Sequence, residues 1–251
     1  MSDKSFEIIV ENEKAFNQSS SSTFVTGFHG LGAVGYISIK HFIDELNLER
    51  VAVVQSSAAP PFISLTESGG LAHAFELYAT VDYKIHFFFP RLPPYRHGEV
   101  EFSKLLGEWV VENYSKAYLV GGVDKRLREE NDTRPAVRYI PTRKYTLLNM
   151  DTSPKLPLLP AGLFVQGPLA VMLGVLDLRS FPALGVLAFA ERDRPDPEGS
   201  ANAVKVANEL LGLSCSVEEL LKNAALFEEE LLKSQQVMPP QDGNAPPETY
   251  L

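Results

Sequence analysis

Cysteine is nearly missing: Cys215 is the single one in 251 residues. No disulfide can close within such a chain, which fits a reducing compartment. Long hydrophobic runs are missing too, and nothing approaches the roughly 20 apolar residues of a membrane-spanning helix. The first residues, Met-Ser-Asp-Lys-Ser-Phe-Glu, lack the basic start and apolar stretch of a secretory signal, so a cytoplasmic protein is expected. Basic charge is scarce, with 23 lysines and arginines against 32 acids and a net charge of −9. That balance argues against nucleic acid or an anionic membrane as a main partner.

The usual catalytic constellations are also missing. No two of the histidines His29, His41, His73, His86 and His97 have zinc-helix spacing. No serine sits in a G-x-S-x-G elbow, and no G-K-[ST] marks a phosphate loop. Cys215 has no local partner and reads as a small buried residue. The residues therefore assign no catalytic group, no metal ligand and no cofactor, and a non-enzyme is expected.

What is present is a chain with 45% hydrophobic residues, ample for one large α/β domain or a domain with an appendage. Its organising stretch runs from Thr23 to Leu46. An apolar pair, Phe24–Val25, is followed by Gly27 and by Gly30, Gly32 and Gly35 at G-x-G-x-x-G spacing. Tyr36, Ile39, Ile43 and Leu46 then recur at helical spacing, with Phe42 widening the stripe. Strand, tight turn, helix is the context in which a dinucleotide fingerprint counts. The glycines also have a reading without a ligand: they let the chain turn sharply and the helix start approach the sheet. An anion at the helix start would be the functional extra. A dinucleotide site further needs an acid about 20 residues on. The next strand, Arg50–Ser56, ends Val-Val-Gln-Ser-Ser without one.

Elsewhere, Phe6–Val10 is a predicted strand and Glu11–Ser22 a polar loop or hairpin. Leu71–Thr80 and Tyr83–Phe89 are predicted to pair as an antiparallel hairpin. Glu99–Tyr114 is predicted helical, and Ala117–Val120 is a strand running into Gly121-Gly122. From Asp124 to Lys144, seven basic residues stand against four acidic ones, read as a solvated excursion. Gly162–Gly167 before Pro168–Leu176 reads as a second strand–glycine–helix junction. Ala183–Ala190 is an apolar strand, Glu198–Leu211 a helix stopped by Gly212, and Ser216–Glu219 a capping box opening a last helix to about residue 235. Alternating strands and helices imply an α/β fold: a mixed, mostly parallel sheet sandwiched by helices, with helices at the C-terminal end. One domain over residues 1–235 is expected, followed by a flexible proline-rich tail over 236–251. That tail ends in Thr249, Tyr250 and Leu251, and an aromatic, an aliphatic and a carboxylate suit capture in a pocket.

The order of these features resembles the proteasome assembly chaperone 2 family. The resemblance rests on Phe28-His-Gly-Leu-Gly-Ala-Val-Gly35, Gly121-Gly122, Gly162–Gly167, Asp196-Pro197 and Leu210-Leu-Gly-Leu213. It implies a phosphorylase/nucleosidase-like α/β sandwich, a homo-oligomer, and ATP-independent binding to proteasome α subunits, as an assembly chaperone or as an activator of the 20S particle. Some archaeal members carry a C-terminal hydrophobic–Tyr–any-residue motif that docks between α subunits and helps to open the gate. Here Tyr250 and Leu251 match it, while Thr249 departs from the hydrophobic position. In this family the turn glycines look like scaffold residues. Two alternatives stand beside it: a nucleoside- or nucleotide-binding enzyme using the turn, and an oligomeric scaffold with an unrelated partner.

Overall fold

The computed structural model of the chain describes residues 6–16, 19–66, 69–129, 131–148 and 157–222. β1 (Phe6–Val10) is followed by a one-turn helix, α1 (Glu13–Phe16), inside the stretch predicted to be loop. β2 (Thr23–Gly27) enters a 3₁₀ turn at Leu31–Ala33 and then α2 (Val34–Glu45). Next come β3 (Glu49–Ser56), β4 (Ile63–Leu65), β5 (Leu71–His73), β6 (Phe75–Ala79) and β7 (Ile85–Pro90). α3 (Arg96–Asn113) leads to β8 (Lys116–Asp124), β9 (Val137–Pro141), α4 (Arg143–Leu147) and α5 (Gly167–Leu178). β10 (Ala183–Ala190), α6 (Pro197–Leu211) and α7 (Glu218–Lys222) complete the order. The predicted last helix begins as α7, and its continuation toward residue 235 lies outside the described residues.

Eight strands form one sheet in the order β1-β3-β6-β7-β2-β8-β10-β9, while β4 and β5 pair separately. The middle four, β7, β2, β8 and β10, are mutually parallel. β6 joins β7 antiparallel, which is the predicted hairpin without Leu71–His73, since these form β5 and pair with β4; β3, β1 and β9 add antiparallel neighbours at the flanks. The α/β expectation holds: a mixed sheet with a parallel centre and helices on both faces.

The pleat explains the two cores. Val25, Phe87, Phe89 and Val120 pack on one face with Ile39 and Phe42 of α2 and Val204 of α6. Their chain neighbours Phe24, Phe88 and Leu119 pack on the other, with Phe102 and Leu106 of α3 and Met172 and Leu176 of α5. Alternate side chains of one strand thus feed opposite layers. With both faces covered, a central strand needs no polar positions, and all eight residues of β10 are buried. Cys215 is buried in the first of these cores, and burial pushes its thiol up to about 12. Its place as an inert packed residue follows.

Three local readings change. The mid-chain strand does not end at Val120 but continues through both glycines to Asp124. A side chain on Gly122 would run into the Leu31 carbonyl, and one on Gly121 would meet Leu169 at 2.7 Å. These glycines make room on a strand rather than break it.

The charged stretch after Asp124 is not simply solvated. It contains edge strand β9, paired antiparallel with β10. Arg138 on β9 is fully buried, ion-paired with Asp132 and stacked 4.8 Å from the Phe189 ring. A paired guanidinium lying on an aromatic face can be buried where a lone charge cannot.

Residues 162–166 form no strand; they are an irregular approach to α5, whose first turn carries Pro168 as expected. The sheet leaves no place beside β10, which already has β8 and β9 as neighbours. The outer side of β9 is met instead by the Leu158–Leu159 segment.

Candidate functional site

The glycine turn is a close-packing device. A side chain at Gly27 would lie 2.5 Å from the Gly35 backbone, and one at Gly35 would lie 2.6 Å from both the Phe28 nitrogen and the Val120 carbonyl. The first turn of α2 therefore presses directly on β2 and β8, an approach only hydrogen side chains permit. Gly32 has a left-handed backbone, φ 61°, and Ala33 follows it at φ 48°. Asp196 locks this turn from behind: its N–H donates to the Gly32 carbonyl at 2.9 Å, and its carboxylate accepts from the N–H groups of Glu191 and Gly199 at 2.8 Å. Asp196 thus caps α6 and ties it to the glycine turn at once. Of the four predicted turn residues, only Gly30 faces open space, with nothing within 4 Å of where its Cβ would be.

The sheet order also removes the geometry of a dinucleotide site. In that architecture the strand after the glycine turn pairs beside the first strand, so its terminal acid reaches the ribose. Here β6 and β7 stand between β2 and β3. The end of β3 is carried away from the turn, and the missing acid is explained.

The turn nevertheless forms one wall of a crevice of about 900 Å³ at the carboxyl ends of β2 and β8. The chain leaving β2 turns to α2 on one face, whereas α5 stands on the other, so the crossovers part here. Such a divergence is where open α/β sheets hold ligands. Leu31, Val120, Val123 and Leu169 supply apolar wall, and Leu127 and Phe164 line it as exposed residues.

The polar groups of the crevice are mostly unspent. His29 is half-buried as a residue, but both ring nitrogens are shielded from water and have no hydrogen-bond partner. Its ring lies 4.2 Å from the Tyr36 ring, and burial lowers its pKa to about 3. It is a neutral imidazole at physiological pH. Glu99, on the first turn of α3, has its carboxylate near Gly167 at the start of α5. Burial raises its pKa, against the opposing charge of Arg96. Gln166 precedes α5 without capping it through its side chain. At the end of β8, Asp124 is held by Arg126 at 2.5 Å, and that hydrogen bond is the first cause lowering its pKa to about 2. Arg192, from the loop after β10, also lines the crevice and is exposed.

Of the predicted site residues, the structure brings Gly27, Gly30, Gly32 and Gly35 together at one turn. Thr249, Tyr250 and Leu251 lie outside the described residues. Glu99, Gln166 and Arg192 were not legible as site residues, because they come from the start of α3, the approach to α5 and the loop after β10, which are far apart in the chain, and have no local motif. His29 was visible through its place in the turn.

The geometry belongs to a recognised group. The PAC2 family profile matches residues 24–235, and this chain belongs to that family. The sequence is 25% identical over 228 residues to the uncharacterized protein MJ0106 of Methanocaldococcus jannaschii, covering 87% of each chain. The fold is similar to the crystal structure of PbaA from Pyrococcus furiosus, described as an archaeal homologue of proteasome-assembly chaperone. There the TM-score is 0.76 at 24% identity, over 92% of this chain and 97% of that one. It is also similar to PbaB of the same organism, described as an archaeal proteasome activator, with a TM-score of 0.69 at 18% identity over 92% and 99%. No helix among the described residues is long and apolar enough to cross a membrane.

Proposed function

We propose that this protein is an ATP-independent proteasome assembly chaperone or activator that binds the α ring of the 20S proteasome. The observation that carries this reading is membership of the PAC2 family over residues 24–235, supported by the fold shared with PbaA and PbaB. In this reading residues 1–235 form one chaperone body that assembles into a homo-oligomer in the cytoplasm. Residues 236–251 form a tail that presents Thr249, Tyr250 and Leu251 to pockets between α subunits. Tyr250 would fill an apolar slot, and the terminal carboxylate would meet a lysine or backbone N–H groups. Thr249 offers one methyl where a larger apolar group would bury more, so binding is expected to outlast strong gate opening. No catalytic residue takes part.

The test is binding of the full chain, and of a chain lacking residues 249–251, to purified archaeal α rings. Binding by the full chain and its loss on deletion supports tail docking. Equal binding by both leaves the body as the docking surface and rejects the tail. Absence of binding by either rejects the proteasome role.

A further inference from the structure

We propose that the crevice at the carboxyl ends of β2 and β8 is a binding site for a small aromatic anion of the nucleoside monophosphate type. Three features of the crevice specify that chemistry, independently of the proteasome reading.

The first is shape. A volume of about 900 Å³ lies within the range of small-molecule sites. Leu31, Val123, Leu127 and Phe164 give it apolar surface suited to a planar ring, and Phe164 and Leu127 are exposed although large and apolar. The open space at Gly30 adds room beside the turn.

The second is unspent hydrogen-bonding capacity. Both ring nitrogens of His29 are shielded and unpartnered. The crevice therefore meets His29 through atoms other than these nitrogens, and the one donor and one acceptor of the neutral imidazole would reach the edge of a heteroaromatic base only once the ring turns. Among the described residues, the Glu99 carboxylate and the Gln166 amide also have no hydrogen-bond partner. Glu99 can only accept when ionised, so it calls for hydroxyl or amine donors such as those of a ribose. Gln166 is exposed and Glu99 half-buried, so only the shielded His29 nitrogens carry a cost for standing unpaired.

The third is a positive charge that is in no ion pair among the described residues and acts only at longer range on Asp124. The arginines of the neighbouring loops are largely used internally: Arg126 by Asp124, Arg134 and Arg138 by Asp132, and Arg194 by Glu191. Arg192 has no hydrogen bond or ion pair among the described residues. It stands at the crevice with a guanidinium shaped for a phosphate. This mode differs from a dinucleotide turn, since it needs no acid at the end of β3 and uses Gly30 only as clearance.

The experiment is calorimetric titration of the full chain with AMP, GMP, CMP and UMP, and with adenosine and inorganic phosphate as the two halves. At least one monophosphate is expected to bind saturably and more tightly than either half. Arg192→Ala and Glu99→Gln are each expected to weaken that binding by roughly tenfold or more, the loss of one charge-assisted hydrogen bond. Both positions are remote from the cores, so unchanged thermal unfolding of the free variants separates loss of binding from loss of fold. Failure of all four monophosphates to bind overturns the proposal, as does binding that both variants leave unchanged. The α-ring assay with the tail deletion is read separately, so either result can fail without the other.

Discussion

Two groups of charged side chains, one around β6 and the end of β7 and one at the ends of β2 and β8, are built in contrasting ways. On β6, Glu76 is completely buried, yet its carboxylate accepts from Arg50 Nη1 at 2.8 Å, the His73 N–H at 3.0 Å and Tyr78 Oη at 3.0 Å. Arg91 adds two donors, the closer at 2.7 Å. Arg50, on β3, in turn reaches Glu11 just after β1 and ties these two strands together. Burial alone would raise the Glu76 pKa, but the Arg91 charge and these hydrogen bonds outweigh it and hold the carboxyl below its usual range. At the crevice the reverse holds: His29, Glu99, Gln166 and Arg192 converge without completing one another. A network that satisfies all its members serves the fold. One left open has capacity for something that arrives.

The largest expected effect breaks the closed network. Glu76→Gln keeps the shape but removes the charge between two arginines, and should cost about 3–5 kcal/mol in urea unfolding. A loss below about 1 kcal/mol would mean that water or rearrangement completes the cluster, and the contrast would weaken.

A smaller effect separates the two regions on the pH axis. The folded His29 has a pKa of about 3 against an ordinary 6.5. The unfolded chain therefore takes up the proton first. The stability this contributes is full above pH 6.5 and declines as pH falls from 6.5 toward 3. His86, lowered to about 4 by burial, adds loss in the same window. Glu76 behaves oppositely in origin: its stabilisation is present above the ordinary carboxyl value of 4.5 and disappears only as pH falls below it. Comparing stability at pH 6.5 and 5, His29→Phe should remove about 2 kcal/mol of the loss seen in the parent chain. An unchanged difference would show that the His29 ring is protonated as easily folded as unfolded.

The smallest effect concerns the open site. Arg192→Ala should change unfolding free energy by less than about 0.5 kcal/mol, because only a longer-range attraction of the exposed Arg192 to Asp124 is lost. A substantial loss would place Arg192 in a structural network like that of Glu76.

Much of this architecture was legible from pattern alone. β10 announced itself as an unbroken apolar run, and α2 through its 3.6-residue stripe, because burial imposes those periods directly. The hairpin of β6 and β7 was readable from its aromatic and β-branched content. Other elements were hidden for identifiable reasons. β9 is an edge strand whose Arg138 is buried only because Asp132 and Phe189 come to it, and that compensation has no local signature. The glycines of β8 looked like a strand end, since the Leu31 carbonyl and Leu169 that require them are remote in the chain.

What the amino-acid order determined by itself is the strongly periodic elements such as α2 and β10, their apolar faces and the need for a tight turn between Phe28 and Gly35. Those follow from local sterics and from the period with which apolar residues recur. The tertiary structure alone decided which strands became neighbours. By placing β6 and β7 between β2 and β3, it took the next strand end away from the glycine turn. By placing β8 beside β2, it brought residues from the start of α3, the approach to α5 and the loop after β10 to one crevice. Proximity between chemically ordinary residues is a property of strand order, and strand order arises from the joint burial of both sheet faces rather than from any one segment.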